Sequence, residues 1–406
     1  MTIHSDVEKV RRYLDEFCVQ LPTRTVGTQG NRVAGLMIAD TMRSFGFNVE
    51  TPEFDCLDWR CDEVSLSVGD HRLEVTAGPF TLPCDVTAEL CSVSSIAQLR
   101  QADTKGKIIL AMGELVKEQL IPKSFTFYNP PEHQEIHALL EKSGAAAIVA
   151  ATSRDPQLAG GMYPFPFIED GDFAIPSAYM KDTEGEILRR IAAGKRGCLR
   201  IRSQRIPARG FNVVARKGNP DQPFILLCAH YDSKPSTPGA IDNATGVIVL
   251  LLLAEMLQSV SPEIGVELVG LNGEDYYSIP GQMLYLSAFE AKARLCRMVI
   301  NMDGAGYHRE KTAYSLYNAG PELEKSVETA IKVFPDMIRG PEWINSDHGM
   351  FIPMGLPTMA VTSFNMMEVL SRDITHTPRD NPQIVDDRKV GDIAKALFRL
   401  ISNWNG

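Results

Sequence analysis

The sequence predicts an α/β protein with a β-rich block inserted into it. Three observations carry this. Short apolar runs such as Phe224-Ile225-Leu226-Leu227-Cys228 read as buried strands, and longer apolar runs such as Val247 to Leu253 read as buried helix. Near residue 56 the pattern changes to alternating residues broken by turn signals. Strand character of the first kind resumes at Asn212-Val213-Val214-Ala215-Arg216.

Composition sets limits. A chain of 406 residues suggests two or three domains. It is 44% hydrophobic and 23% charged, which is the profile of a globular protein with sizeable cores. The net charge of -10, with both signs spread along the chain, argues against nucleic acid as a partner. The eight cysteines include no C-x-x-C pair, and the chain is too long for a disulfide scaffold, so reduced thiols are expected. Met1-Thr2-Ile3-His4-Ser5-Asp6 lacks the basic-then-apolar pattern of a signal peptide. The run Val247 to Leu253 is too short to span a bilayer. These readings lead to the expectation of a cytoplasmic protein with no membrane partner; a homo-oligomer stays open.

Taken in order, residues 6 to 20 place Val7, Val10, Leu14, Phe17 and Cys18 at helical spacing. A glycine-containing loop, Arg24 to Asn31, leads to a second helix over about Arg32 to Phe45, ended by Gly46. Phe47 to Thr51 alternates like a strand. In the inserted block, Val64 to Val68 and His71 to Val75 flank Gly69-Asp70 as a hairpin. Lys107 to Ala111 and Ala145 to Ala150 read as buried strands, with helices over His133 to Lys142 and Thr183 to Ala192. His133 and His137 share a helix face at i, i+4. They lack the glutamate of an H-E-x-x-H site, and a polar surface face is the expectation.

The chemistry gathers after residue 212. His230 lies just past the strand Phe224 to Cys228, where ligand groups collect in open α/β sheets. Asp242 precedes the Val247 to Leu253 helix. A histidine and a carboxylate placed so can hold a zinc-like metal, and the same residues would also make a salt-bridged loop. Asp232 could fix the His230 tautomer from behind. The strand Ile264 to Leu271 runs into Glu274-Asp275, and Arg297 to Met302 runs into Asp303. Three successive strands therefore end in a metal-capable side chain. His376 and Asp380 follow later.

The ordered series His230, Asp242, Glu274-Asp275, Asp303, His376 resembles the M28 family of zinc peptidases. That family includes aminopeptidases, glutamate carboxypeptidase II-like enzymes and glutaminyl cyclases. The motifs H-Y-D-S, P-G-A-x-D-N-A-x-G, G-E-[ED], N-x-D, S-D-H-x-x-F and H-T-x-x-D stand here in family order. The resemblance covers the N-terminal helices and essentially all of 205–406. The inserted block resembles a protease-associated (PA) domain through Gly106-Lys107-Ile108-Ile109-Leu110, Gly144-Ala145-Ala146-Ala147-Ile148 and Ile175-Pro176-Ser177-Ala178.

The resemblance implies a three-layer α/β/α zinc-exopeptidase fold with a mixed central sheet, made of 1–55 and 206–406, with a PA-like insert at 56–205. It implies two zinc ions, with cobalt or manganese as substitutes, acting on a peptide substrate. His230, Asp242 and Asp303 would hold one ion, and Asp275, His376 and the shared Asp242 the other. Glu274 would be the general base, with Asp232 counted as catalytic for its hold on His230, and Asp242-Asn243 would be a cis peptide. An aminopeptidase is expected. A single-zinc glutaminyl-cyclase-like acyltransferase, a carboxypeptidase and a non-catalytic receptor-like member are the alternatives.

The chain departs from the family in three places. Asp275 stands where the family usually has Glu. Tyr276 to Gly281 is bulkier and one residue longer than the usual turn. Gly304-Ala305-Gly306 reads as flexible. Beside these, Ser346 could bond a ligand carboxylate or cap a turn, and His348 reads as structural. Met350, Met354, Met359, Met366 and Met367 read as core before pocket. Lys234, Arg372 and Arg379 could meet a substrate carboxylate or simply be surface charges.

Overall fold

The computed structural model describes residues 3–125, 128–153, 166–219, 221–260, 263–366 and 374–404. Arg372 and Met367 lie outside them. The chain divides into two compact units, Met1–Cys56 with Ala208–Gly406, and Leu57–Pro207.

The first unit is built on a mixed sheet. Among the described residues its strands are β1 (Asn48–Glu50), β2 (Val213–Lys217), β3 (Phe224–His230), β4 (Gly265–Leu271), β5 (Cys296–Met302), β6 (Thr312–Tyr317), β7 (Met337–Arg339) and β8 (Thr358–Ser363). Their order across the sheet is β1-β2-β4-β3-β5-β8-β6-β7. The central strands β4, β3, β5 and β8 are parallel, and β1–β2, β2–β4 and β8–β6 are antiparallel. Parallel strands covered on both faces read as continuous apolar runs, and every residue of β3 is buried.

The strand period of two sorts the core into layers. Ile225, Leu227 and Ala229 face α1 (Ile3–Asp15), α2 (Gln29–Ser44), α3 (Thr245–Met256) and α6 (Asp387–Ser402). Leu226 and Cys228 face the other side, with α4 (Pro280–Phe289) and Phe351. Helix α5 (Pro321–Ile331) packs through Val327 and Ile331 into the first layer. Helix α3 is apolar all round because it is enclosed: Thr245 to Ala254 are all buried. Strand β3 runs two residues further than its apolar stretch, since His230 still pairs with Leu271 of β4. After α1 the chain widens into a π-helical turn, Glu16–Gln20, which the helical spacing does not distinguish.

One charge is buried within this sheet. Glu267 of β4 lies opposite Arg216 of β2 and receives its Nε at 2.5 Å. Lys292 Nζ and the Tyr285 hydroxyl donate to the same carboxylate. Burial opposes ionisation of Glu267, but Lys292, Tyr285 and Arg216 outweigh it and hold its carboxyl below the ordinary range. A depressed folded pKa contributes stability above the ordinary glutamate value of about 4.3, and that contribution is lost as pH falls through the folded value. Glu267→Gln is therefore expected to cost roughly 3 kcal/mol at neutral pH. Thermal unfolding from about pH 6 to about pH 3 should show the gap to wild type closing toward acid; a constant gap would refute the linkage.

A second sheet, most of it in the second unit, orders strands His71–Leu73, Glu53–Val68, Arg196–Phe211, Cys84–Val93, Ile108–Ala111, Ala147–Thr152, Ser177–Lys181 and Thr76–Ala77. The hairpin at Gly69-Asp70 is present, with Leu66 opposite Leu73. Helices Ile96–Gln101, Pro131–Lys142 and Asp182–Ile191 accompany it. His133 and His137 depart from the surface expectation, because both are buried. The Ile121 amide donates to His133 Nδ1 at 3.1 Å, and His137 Nε2 meets the Ile121 carbonyl at 3.0 Å. They pin a segment without regular structure over the helix. Among the described residues no helix is long and apolar enough to cross a membrane.

Candidate active site

Strands β4, β3 and β5 are parallel neighbours, so their carboxyl ends reach one edge of the sheet together. His230 is the last residue of β3, Asp303 directly follows β5, and Asn272-Gly273 carries β4 into Glu274 and Asp275. Asp242 arrives in the turn before α3, and His376 in the segment before α6. The Asp242–Asn243 peptide is cis, as the family resemblance implies.

The two oxygens of Asp242 address different imidazoles. Oδ1 is 3.1 Å from His230 Nε2, and Oδ2 is 2.9 Å from His376 Nε2. His230 Nε2 is also 3.6 Å from Asp303 Oδ1, and His376 Nε2 is 3.0 Å from Asp275 Oδ1. Glu274 stands further off, with Oε2 4.0 Å from His230 Nε2. All six residues are thus brought to one place.

This arrangement fits a cation. His230 Nδ1 faces the Asp232 carbonyl at 3.2 Å and, as its donor, leaves the Nε2 lone pair facing carboxylates. Nε2 of His230 and Oδ2 of Asp275 are buried without a hydrogen-bond partner. Ligand atoms of His230, Asp242 and Asp275 all lie within 4.8 Å of one another. Imidazole nitrogen with carboxylate oxygen is a zinc-type donor set.

The electrostatics point the same way. Burial alone would push His230 down, but the neighbouring carboxylates of Asp232, Asp242 and Asp303 hold it well above its usual range. Burial is likewise overcome at His376 by Asp275 and Asp242. Asp242 is held below the carboxylate range because the two imidazoles outweigh burial. Glu274 is pushed well above its range by burial, with Asp303 and Asp275 adding to it against His230. Asp275 rises through burial and Asp242. Carboxylates outnumber imidazoles in a buried space, and bound cations would relieve that surplus.

Asp232 serves the site differently from the expectation. Its backbone carbonyl, not its carboxylate, meets His230 Nδ1; carboxylate Oδ1 is 3.6 Å away. The carboxylate accepts from three successive amides instead: Gly273 at 2.7 Å, Glu274 at 3.3 Å and Asp275 at 3.0 Å. One buried side chain therefore sets the turn that presents both acidic residues.

Other supports were given no task by the sequence. Asp380 accepts from the Ile241 and Asp242 amides at 2.7 and 3.0 Å. Burial, then the Asp242 charge, pushes its carboxyl up to about 7. The H-T-x-x-D spacing marks Asp380 but gives it no task. Asn243 Nδ2 donates to the Met302 carbonyl at 2.8 Å, tying the Asp242 turn to β5. Arg24 is fully buried and donates to the carbonyls of Tyr231, Phe17, Pro238 and Gly239 at 3.0, 2.6, 2.7 and 2.8 Å.

Ser346 bonds the carboxylate of Asp303: its hydroxyl donates to Asp303 Oδ2 at 2.7 Å and accepts from Asn301 Nδ2 at 2.8 Å. It makes no side-chain capping bond. His348 is structural, with Nε2 2.7 Å from the Trp343 carbonyl and Nδ1 3.3 Å from Asn301 Nδ2. Met350 and Met359 are core residues, whereas Met354 is exposed. The Gly304 to Gly306 stretch is pinned, not loose. Ser363 donates through its amide and hydroxyl to the Gly304 carbonyl, and the Asp386 amide donates to the Gly306 carbonyl. Gly304 has φ 70°, and a Cβ there would collide with the Met366 side chain. The Tyr276 and Tyr277 rings are buried, with centroids 4.5 Å apart.

Residues 212–401 match the model of Peptidase family M28. That match is consistent with an M28 zinc peptidase. The chain is 25% identical over 399 residues to Aminopeptidase YwaD of Bacillus subtilis, covering 92% of itself and 80% of that protein. It is 27% identical over 285 residues to the probable lipoprotein aminopeptidase LpqL of Mycobacterium tuberculosis, covering 65% of itself and 54% of that protein. Among solved structures, BSAP, a zinc aminopeptidase from Bacillus subtilis, superposes with a TM-score of 0.75 at 20% identity, over 98% of this chain and 96% of that one. That likeness shows the fold.

Proposed function

We propose that the chain is a di-zinc aminopeptidase that hydrolyses peptides, with Glu274 as general base. The observation that carries this is Asp242, whose two oxygens address His230 on one side and His376 on the other. His230, Asp242 and Asp303 would hold one zinc, and Asp242, Asp275 and His376 the second. The names of the relatives, aminopeptidases, support the reaction class. Bound zinc would supply a Lewis acid for the scissile carbonyl and an acidified water.

The chain's own residues divide the remaining work. Glu274 Oε2 takes the proton of the attacking water and returns it to the leaving amine. Asp232 holds the amides of both Glu274 and Asp275, so that Asp275 faces His376 and Glu274 is left free. Ser346 fixes one oxygen of Asp303 and leaves the other toward His230. We also read the inserted unit as PA-like, a reading its mixed sheet supports, and place the enzyme in the cytoplasm, which buried thiols at Cys18, Cys228 and Cys296 fit.

Metal analysis tests the allocation. Wild type is expected to carry two zincs, whereas a glutaminyl-cyclase-like enzyme would carry one. Asp275→Ala should lose one, because a single ion depends on it. Asp242→Ala should weaken both. Equal metal content in the two variants would contradict the shared bridge. Peptides with a free amine, a blocked amine and a blocked carboxyl terminus then separate aminopeptidase from carboxypeptidase action.

A further inference from the structure

The carboxamides of Asn31, Asn212 and Asn272, each at most 2% exposed, interlock behind the turn that presents Glu274 and Asp275. Asn31 and Asn272 form a closed amide pair. Asn31 Nδ2 donates to Asn272 Oδ1 at 2.8 Å, and Asn272 Nδ2 donates to Asn31 Oδ1 at 3.0 Å. Each Nδ2 also bonds a carbonyl, that of Arg24 at 2.9 Å and that of Phe211 at 3.2 Å. Asn212 Oδ1 accepts from the Asn272 amide at 3.0 Å, and its Nδ2 donates to the Gly281 carbonyl at the start of α4 at 2.7 Å. A carboxamide has distinct donor and acceptor ends, so this pattern fixes which way each one faces.

Asn272 directly follows β4, and Gly273 at φ 117° then swings the chain into Glu274. Asn31 is equally fixed at its own end. Thr28 caps α2 by accepting from the Asn31 amide at 3.2 Å. The loop of residues 24–31 thus reaches the site twice: the Arg24 guanidinium fastens the His230–Asp242 connection, and Asn31 fastens the end of β4. We propose that Asn31 is a positioning residue for hydrolysis, setting through its pair with Asn272 where the turn delivers Glu274. It acts through Asn272 and touches no reacting atom. The proposal rests on the reading of Glu274 as general base. A displacement of about 1 Å at such a group costs on the order of 10²-fold in rate.

The zinc-loaded full chain, assayed with Leu-Ala amide, tests this. Asn31→Ala is expected to lower kcat by about 10- to 100-fold with KM nearly unchanged. Added to Glu274→Gln, it should cost roughly twofold or less, because the group it positions is already disabled. Asn31→Asp separates the amide pair from packing. Protonated, the introduced carboxyl donates its O–H to Asn272 Oδ1 and accepts from Nδ2, which restores the pair; ionised, it has no donor. Burial raises its pKa, so kcat relative to wild type should climb as pH falls from about 8 to about 5.5, while the Asn31→Ala ratio stays flat. Hydrogen exchange of residues 272–276, read by mass spectrometry, needs no turnover. Asn31→Ala should speed it by about tenfold or more and leave β5 unchanged. Unchanged exchange, normal kcat in Asn31→Ala, a full further loss on top of Glu274→Gln, or a flat Asn31→Asp profile overturns the assignment, and so does unfolding of both Asn31 variants. A large Glu274→Gln defect beside any of these leaves the base reading standing. Faster local exchange with near-normal turnover in Glu274→Gln keeps Asn31 as the brace of the turn and overturns the base. The same exchange result without cleavage of any free-amine peptide by wild type keeps the brace and overturns the aminopeptidase reading.

Discussion

Glu274→Gln should lower kcat by roughly 10²–10⁴-fold while the protein folds and retains its metal. Glutamine keeps nearly the same volume but cannot take a proton at neutral pH. The turn that presents residue 274 is held through backbone amides by Asp232, so the substitution leaves that scaffold intact. The 4.0 Å separation from His230 Nε2 sets Glu274 outside the tighter contacts at Asp242 and Asp275. The loss should sit in kcat more than in KM, because the base acts in the transition state. Steady-state kinetics paired with metal analysis decide the matter. Metal loss would make Glu274 a ligand, and near-normal turnover would place the base elsewhere.

Arg24→Ala should destabilise the protein by roughly 4 kcal/mol or more and reduce metal retention with it. Four carbonyls share this buried guanidinium, and each would lose its donor inside the core. Tyr231 follows His230, and Pro238 and Gly239 precede Asp242, so the clamp sets the loop that joins two proposed ligands. Gly239 sits at φ 58°, and a Cβ there would crowd Arg24 Nη2 and Ser233. Arg24→Lys should rescue only part of the loss, since an ammonium on an unbranched stem cannot reproduce the fork. Denaturant unfolding is the measurement; an Arg24→Ala curve within about 1 kcal/mol of wild type would exclude the clamp.

The difference between Glu274 and Arg24 explains what the sequence discloses. Glu274, His230 and Asp303 follow apolar strands, and a run of buried residues ending in a polar one is a local pattern. Parallel pairing then brings the three ends together. Arg24 works through carbonyls more than two hundred positions away, and backbone acceptors have no side-chain identity to read. Asp380 and Asn243 are hidden for the same reason, since their partners are main-chain groups. The misjudged exposure of His133 and His137 has a related origin. What covers them is a segment without regular structure, whose position no periodicity announces. Asp232 was visible, but not the division of labour between its carbonyl and its carboxylate, which depends on where the β4 turn passes.

The pairing of β1 with β2 bears on how this architecture was assembled. Asn48 lies opposite Arg216 and Glu50 opposite Val214, and the Asn212 amide donates to the Pro52 carbonyl at 3.1 Å. Topologically, the long excursion between these strands is the loop of a hairpin at the sheet's edge. Closing a longer flexible loop costs only about 0.6 kcal/mol per doubling of its length. Strand order is the same whatever hangs from that loop. This edge is therefore a port where an ancestor could acquire, exchange or shed a whole domain without rewiring the sheet. The β3–α3 connection offers no such freedom, because it carries His230 and Asp242 at its two ends and Arg24 fastens it to the interior.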